Sequence, residues 1–403
     1  MLMAHRIALD PTAAQLDYFP RAAGTARFAY NWALAEWQRQ FKAGEKPNQI
    51  ALRRQLNAIK RIEFPWMTEV SKSVIQASII NLGRAYSHFF RRLKEGKRGK
   101  KLGYPQFKKR GKHDAFFAGT FPEFAIDGKR IRLPIIGWVR MHEELRFNGV
   151  IKSASVSRSA DRWFVSIVVD TETKQQSEKD DYDFIGVDLG VNILATCSDG
   201  QCFDGPKPLK RNLKKLRRYN RCLHRRKIAS KNRRKTQEKL ARLHYRNACI
   251  RKDCLHKITT HLAKTKRVVV LENLNVKGMA PKRSIADLGL YEFRRQLQYK
   301  SKISGCEVII ADRFFPSSKR CSECGWIYHS LKRGEKEWTC NECGVVHNRD
   351  YNASKNLEWY GKQQLRPVRS ESTPVESLAL APEDSGVKLG SRKQELDLLN
   401  DYS

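Results

Sequence analysis

The chain has 403 residues, with 78 Lys and Arg against 42 Asp and Glu, which gives a formal net charge of +36. A surface with this charge repels itself unless a polyanion neutralises it, so nucleic acid is the expected partner, with a ribosomal or membrane-surface role as the alternative. The sequence has no secretory signal peptide and no long uncharged apolar run, which argues against a secreted or membrane-embedded protein. We therefore expect a cytoplasmic, nucleoid-associated protein with no membrane partner.

The first part of the sequence predicts strands that are interrupted by a helical segment. A short strand at residues 4–9 precedes Asp10-Pro11, a typical helix start, and helical sequence continues to about residue 95. The clearest helical signal is an apolar stripe at helical spacing: Ile75, Ile79, Leu82, Tyr86 and Phe89. After a basic loop at residues 97–112, the turns at Asp127-Gly128 and Ala160-Asp161 predict two hairpins. These elements predict a small β-barrel with a helical insert after its first strand.

The second part of the sequence begins after a polar boundary at residues 174–183. An apolar strand carrying Asp188 is followed by a hairpin that turns at Asp199-Gly200 and by a long helical region. Next come a strand that ends at Glu272, a helix, another strand and a helix that begins near Asp350. This order is typical of an RNase H-like domain, in which the first and fourth strands are neighbours and the last helix crosses them.

Three acidic residues therefore come from distant parts of the sequence to one predicted site. Asp188 lies in an apolar strand, where a charge is costly without a partner or a metal. In this fold Glu272 and Asp350 would lie beside it, and three carboxylates repel one another unless cations neutralise them. Oxygen ligands suit Mg²⁺ or Mn²⁺, and two such ions can promote phosphodiester cleavage. The three acids thus predict a metal-dependent nuclease, although each alone could be a strand-end, surface or helix-capping residue.

Basic residues are concentrated in several segments. Between residues 207 and 235, fifteen of 29 residues are Lys or Arg and none is acidic, which favours contact with a phosphate backbone over a solvated face. Further candidates lie in the basic loop and on the polar face of the helix that carries the apolar stripe. The predicted nucleic-acid contacts are Lys72, Gln76, Lys108, Lys109, Lys214, Arg217, Arg218 and Arg225.

Four cysteines have the spacing of a structural zinc site. Cys321 and Cys324 form one pair, Cys340 and Cys343 form the other, and fifteen residues separate the pairs. Four thiolates fill the tetrahedral coordination of Zn²⁺, so His329 and His347 are only substitute ligands. The ribbon precedes Asp350 closely, which suggests that it fixes the helix carrying that residue and guides the substrate.

Several motifs resemble those of the TnpB family, which is encoded by transposons and related to the type V CRISPR effectors. The matching stretches are GVDLGV, VVLENLNV, FFPSSKRCSECG, TCNECG and HNRDYNASKN. The resemblance implies an RNA-guided DNA endonuclease with one RuvC-type site at Asp188, Glu272 and Asp350. Its partners would be a guide RNA from the element end and a double-stranded DNA target beside a short adjacent motif. Asn348 is one departure, because relatives often have Asp there.

The resemblance also implies a division into domains. A β-barrel wedge would comprise residues 1–10 and 113–178, with a helical recognition domain at 11–112. A RuvC-like nuclease domain would comprise residues 181–312 and 346–361, with the zinc ribbon, which binds target nucleic acid, at 313–345. Beyond the resemblance, the composition changes after about Gly361 to a nearly neutral sequence with Ser, Pro, Glu and Asp, so we expect residues 362–403 to form a disordered tail.

Two other functions are compatible with the same residues. The chain could be a non-catalytic zinc-ribbon protein that regulates or assists transposition, but the three acids argue against this. It could also be a RuvC-like resolvase that needs no guide.

Overall fold

The computed structural model describes residues 1–99, 102–171, 183–275, 278, 283–332 and 334–365. These residues form two compact units, which lie within Met1–Glu172 and Thr173–Glu371. The predicted tail lies outside the described residues from residue 366 onward, as do Lys100 and Lys101 of the basic loop and most of the predicted boundary at 174–183.

The first unit contains a seven-stranded antiparallel sheet. Its strands are β1 (Leu2–Asp10), β2 (Ala115–Thr120), β3 (Ala125–Asp127), β4 (Arg130–Leu133), β5 (Gly137–Met141), β6 (Val150–Ser159) and β7 (Arg162–Asp170). The strand order is β2-β6-β7-β1-β5-β4-β3. Asp127 pairs with Arg130, and Ser159 pairs with Arg162, which confirms the two predicted hairpins. No pair among the described residues joins β2 to β3, so a closed barrel remains a prediction.

The helical insert after β1 is present. It comprises α1 (Ala13–Lys42), α2 (Gln49–Ile59), a 3-10 turn (Pro65–Glu69) and α3 (Lys72–Lys94). Thr12 caps α1, because its hydroxyl accepts from the Gln15 amide while the Gln15 side chain accepts from the Thr12 amide. The predicted apolar stripe of α3 is buried along its whole length, which confirms that it faces the core.

The second unit contains a five-stranded mixed sheet and a two-stranded ribbon. The strands are β8 (Phe184–Asp188), β9 (Ala195–Cys197), β10 (Cys202–Phe203), β11 (Val268–Leu271), β12 (Glu307–Ile310), β13 (Glu337–Thr339) and β14 (Val346–Asn348). The sheet order is β10-β9-β8-β11-β12, and β11 is parallel to both β8 and β12. The first and fourth strands of this unit are therefore neighbours, as the element order predicted.

Five helices accompany this sheet in the described residues. They are α4 (Pro208–Arg225), α5 (Lys231–Thr265), α6 (Arg283–Leu288), α7 (Leu290–Ser304) and α8 (Arg349–Gln364). The α4 helix has no capping side chain of its own. Instead the buried Asp287 accepts hydrogen bonds from the amides of Leu209 and Lys210, both at 3.0 Å, and pairs with Arg251. The first turn of this very basic helix is thus stabilised by a carboxylate from α6.

Helix α8 packs directly on the backbone of β8 and on β11. A Cβ atom at Gly186 would lie 1.9 Å from the Ser354 carbonyl oxygen, and one at Gly361 would lie 2.4 Å from Val270 Cγ2. Only glycine permits this close approach. The two glycines therefore fix where α8 crosses the parallel strands.

No helix in the described parts of the chain is both long enough and apolar enough to cross a lipid bilayer.

Candidate active site

Asp188 and Glu272 lie at the same edge of the sheet. Leu271 of β11 is in register with Val187 of β8. The residues that follow these two in the sequence, Glu272 and Asp188, therefore lie side by side. The carboxyl ends of parallel strands meet at one edge, which is where open α/β sheets place their binding sites. Strand register thus brings together two of the three predicted acids.

Asp350 reaches this edge from the first turn of α8. Asn348 is the N-cap residue, and its side-chain oxygen accepts from the Tyr351 amide at 3.2 Å. The position where relatives often have Asp therefore has a capping role here. The positive end of the helix dipole favours a carboxylate in the first turn, which is where Asp350 lies.

The three carboxylates share one electrostatic environment. Burial raises the pKa of Asp188 to about 7, and the charges of Glu272 and Asp350 add to the effect. Burial also raises the pKa of Glu272. The Arg349 guanidinium acts in the opposite direction on both groups. A site that resists ionisation in this way is suited to a divalent cation, which would supply the missing positive charge.

Two clefts flank the carboxylates. Glu272 lines one of about 170 Å³ together with Tyr291 and Arg294. Asp350 lines the other, of about 430 Å³, together with Lys336. Glu272 and Asp350 therefore each line a cleft that also contains a cationic side chain.

The four predicted zinc ligands converge. The four sulfur atoms all lie within 4.8 Å of one another. Gly325 and Gly344, with φ of 84° and 69°, follow the two pairs, and their amides donate to the carbonyls of Cys321 and Cys340. This is the turn that lets both thiols of a pair face one ion. Four thiolates in this arrangement fit Zn²⁺ in a closed structural site.

His347 lies beside the cysteines without being needed as a ligand. Its Nε2 atom is 3.0 Å from Cys321 Sγ, and its ring packs against Trp338 with centroids 4.7 Å apart. A hydrogen bond from this nitrogen would orient the Cys321 sulfur atom.

The ribbon is attached to the helix that carries Asp350. The buried side chain of Asn352 donates to the Arg320 carbonyl at 2.8 Å and accepts from the Ser322 amide at 2.9 Å. Asn356, one turn further, donates to the Arg320 and Ser317 carbonyls and accepts from the Arg320 guanidinium at 2.8 Å. The first cysteine knuckle and α8 are thus joined through two fully buried amides.

The predicted nucleic-acid contacts have different surroundings. On α4, Leu216 is buried while Lys214, Arg217, Arg218 and Arg225 are exposed, so the helix presents a basic face.

In the first unit, Lys72 is exposed, Gln76 is half-buried and Lys109 is exposed. Lys108 differs, because its ammonium lies over the Tyr30 ring at 3.9 Å and burial lowers its pKa. Its ammonium is thus already engaged within the protein, whereas the other predicted contacts remain available.

Sequence reasoning missed three residues of this site. Arg349 was not identified, although it immediately precedes Asp350. Asn352 and Asn356 were also missed, although their spacing of four residues places them on one helix face. That spacing was the available signal for a buried polar attachment.

Three family models match parts of the chain. A family model described as "Probable transposase" matches residues 166–283, one described as "Cas12f1-like, TNB domain" matches residues 291–357, and one described as "Helix-turn-helix domain" matches residues 1–46. The second match spans the four cysteines and Asp350.

Two curated relatives match most of the chain. It is 32% identical over 404 residues to "Putative RNA-guided DNA endonuclease InsQ" of Escherichia coli (strain K12), covering 93% of this chain and 98% of that protein. It is 33% identical over 361 residues to a protein of Streptomyces pristinaespiralis described as "Putative RNA-guided DNA endonuclease", covering 86% of each.

A solved structure has a similar fold. The cryo-EM structure of a Cas12f1-sgRNA-target DNA complex matches with a TM-score of 0.54 and 15% identity, over 86% of this chain and 83% of that one. Together with the relatives and the family models, this likeness leads to one conclusion. The chain belongs to the TnpB family, as its motifs predicted.

Proposed function

We propose that this protein is an RNA-guided DNA endonuclease that cleaves its target by metal-dependent hydrolysis at Asp188, Glu272 and Asp350. The observation that carries the proposal is that Glu272 and Asp188 follow paired residues of adjacent parallel strands, with Asp350 near enough that its charge acts on Asp188. Burial, with the charges of Glu272 and Asp350 added to it, raises the pKa of Asp188 to about 7. The names of the two curated relatives support the same activity.

The three carboxylates would hold Mg²⁺ or Mn²⁺. Two such ions would activate the attacking water and stabilise the leaving oxygen of a phosphodiester. Asp188, Glu272 and Asp350 would supply the oxygen ligands that hold these cations. Arg349 offsets part of the negative charge, which keeps Glu272 and Asp188 closer to their ionised, ligating forms before a cation binds. Arg294 and Lys336 would receive the DNA backbone on either side.

The proposed nucleic-acid partners account for the net charge of +36. A guide RNA from the element end and the guide–target heteroduplex would be held through backbone charge and shape, while base pairing reads the target sequence. The basic face of α4 is our candidate for one such backbone contact. The exposed Lys72 and neighbouring Gln76 on α3 remain candidates for reading the motif adjacent to the target.

Zinc would have a structural role in this scheme. The four cysteines would hold Zn²⁺, and the ribbon would contact target nucleic acid. Through Asn352 and Asn356, the same ribbon would keep α8 in place and so position Asp350.

The test is cleavage by purified protein with RNA expressed from the native element end. We expect Asp188→Ala to abolish cleavage of a matched DNA duplex in Mg²⁺ and to leave RNA binding unchanged. Asp253→Ala is the matched control, because Asp253 is an exposed acid of the same unit that pairs with Lys257. It should cleave normally.

The outcomes separate the three candidate functions. A protein that binds RNA and DNA but never cleaves, with or without Asp188, would be an accessory or regulator. Cleavage of branched DNA that persists after RNA is removed would identify a guide-free resolvase. Cleavage that needs both RNA and Asp188 would support the endonuclease.

A further inference from the structure

A groove in the first unit has the composition of a nucleotide-binding site, yet none of the predicted nucleic-acid contacts lies in it. The groove has a volume of about 610 Å³, which is in the range of small-ligand sites. It is lined by the N-terminal end of α1 and by the outer face of β4 and β5. Three cations, Lys129, Arg130 and Arg140, face a single carboxylate, Asp10, and the exposed ring of Trp138.

The arginines of this face are placed against one another. In the β4–β5 ladder Arg130 is directly opposite Arg140, and Arg132 is directly opposite Trp138. All alternate with buried residues of the same strands, so they share the outer face. Like charges directly opposite one another destabilise a sheet. An anionic ligand would relieve this repulsion.

Acidic neighbours neutralise the face only in part. Arg130 pairs with Asp127, while Arg140 has a single distant contact with Asp10 at 3.9 Å. Within the described residues, Arg132 and Lys129 have no carboxylate within ion-pair distance. The groove therefore retains an excess of positive charge beside an aromatic ring.

The main chain at Trp138 is held in place by hydrogen bonds, and its ring is partly exposed. Trp138 is 43% exposed, and the Arg130 guanidinium lies 5.4 Å from its ring centroid. The Gln15 side chain donates to the carbonyls of Trp138 and Ile136 at 2.9 and 3.3 Å, which fixes this loop to α1. Ile135, in the same turn, has φ of 73° and is 63% exposed, an unfavourable conformation for a β-branched residue. Such strain is concentrated at binding sites.

We propose that this groove binds an unpaired nucleotide of the RNA partner, with the base stacked on Trp138 and the phosphate between Arg130 and Arg140. The inference rests on the RNA partner of the proposed function. A base inside a duplex has both faces covered by its neighbours, whereas a looped-out or single-stranded base can stack on an exposed aromatic ring. A folded RNA offers such bases, and a double-stranded DNA target does not.

The test uses full-length protein carrying Asp188→Ala, so that binding is measured without cleavage. The probe is a short single-stranded oligoadenylate RNA with a fluorescent adenine analogue, whose emission is quenched on stacking. A base-paired RNA hairpin and the matching oligodeoxyadenylate are measured alongside. Trp138→Ala should weaken single-stranded RNA binding by roughly 5- to 150-fold, as expected for one stacked base, and remove the quenching. Trp138→Phe should restore part of both.

A second variant tests the proposed phosphate contact. Arg140→Gln should weaken binding and reduce the slope of log affinity against log salt by about 0.7, as for one phosphate contact on a single strand. Arg54→Ala, which removes one exposed cation from α2, is the matched control and should change the affinity of the hairpin and of the single strand alike.

Each outcome has a distinct meaning. Unchanged binding and quenching in Trp138→Ala, or an equal loss of affinity for the hairpin, would overturn the assignment of this groove as a nucleotide site and leave the proposed function intact. A larger Trp138 effect for the deoxy strand than for RNA would also overturn the assignment, because the displaced DNA strand would then be the ligand. Protein that binds no RNA at all would overturn the proposed function itself.

Discussion

The strongest quantitative prediction concerns Asp188 in protein that has no catalytic cation. Asp188→Asn keeps the shape of the side chain and removes a charge that burial and two carboxylates oppose. The pKa of Asp188 is about 7 in the folded protein against an ordinary value of 3.8, a difference of about three units. At about 1.4 kcal/mol per unit, ionising Asp188 costs up to about 4 kcal/mol of stability. Since Asp188 retains some solvent contact, we expect about 1–3 kcal/mol.

The direction of the pH dependence follows from the raised pKa. The folded protein holds the proton more tightly than the unfolded chain, so its stability falls as the pH rises from about 4 to about 7. Asp188→Asn has no proton to lose. Its advantage over wild type should therefore be small near pH 4, increase to about pH 7 and then remain constant.

Urea unfolding at several pH values measures this difference. The buffer should contain one equivalent of zinc, to keep the ribbon intact, and no magnesium. Adding Mg²⁺ at pH 8 should stabilise wild type and have little effect on Asp188→Asn. Asp253→Asn, on the exposed face of α5, should show no such trend. Equal differences at pH 5 and pH 8, or equal stabilisation of both proteins by Mg²⁺, would refute our reading of the carboxylate site.

Three further predictions test how α8 is held. Gly186→Ala should destabilise the protein by about 1–3 kcal/mol in thermal unfolding, because the new methyl group meets the Ser354 carbonyl. Gly24→Ala, within α1, should be neutral or stabilising, because its methyl group would make only an ordinary contact with the Arg27 side chain at 3.7 Å. Similar effects of both changes would contradict this packing. Cys321→Ser should weaken zinc binding, as measured with a chromophoric chelator, and should increase amide hydrogen exchange in the first turns of α8. If the variant loses zinc and the exchange rate in α8 does not change, the ribbon does not hold the helix. Asn356→Ala should cost about 1–3 kcal/mol of stability, because it leaves the buried Ser317 carbonyl without its amide donor, and should reduce cleavage while keeping zinc content at wild-type level; loss of zinc instead would place its role in the metal site.

Much of the fold could be predicted because its signals are local. Turn residues identified the hairpins at residues 127–130 and 159–162, and helical spacing identified the buried face of α3. Strand β2 was missed because its partner, β6, lies about 30 residues further along the chain. Strand β5 was missed although it pairs with the neighbouring β4, because no Asn-Gly or Asp-Gly turn separates the two strands. The packing of α8 against Gly186 is invisible in sequence for the same reason: it depends on a contact between residues more than 160 positions apart.

The residues of the candidate site that could be predicted are those whose side-chain type itself indicates a function. Carboxylates at strand ends and paired cysteines indicate metals wherever they occur, so Asp188, Glu272 and the cysteines could be named from sequence. Arg349 could not, because arginine is common and acquires a role only from its neighbours, and the spacing of Asn352 and Asn356 indicates a shared helix face without showing what that face contacts. Whether a lysine such as Lys108 faces phosphate or an aromatic ring likewise depends on tertiary structure.

The order in which α8 and β8 leave the ribosome has a consequence for the nascent protein. Asp188 and Glu272 are synthesised well before Arg349–Gln364, and the ribbon must be made in between. Until α8 emerges, the strand backbone at Gly186 and the Val270 side chain have no cover, and only two acids are present. A partly translated or prematurely terminated chain would thus bind nucleic acid through its basic helices but would lack the third acid of the proposed site. The proposed cleavage activity would therefore arise only when the ribbon and α8 have been synthesised.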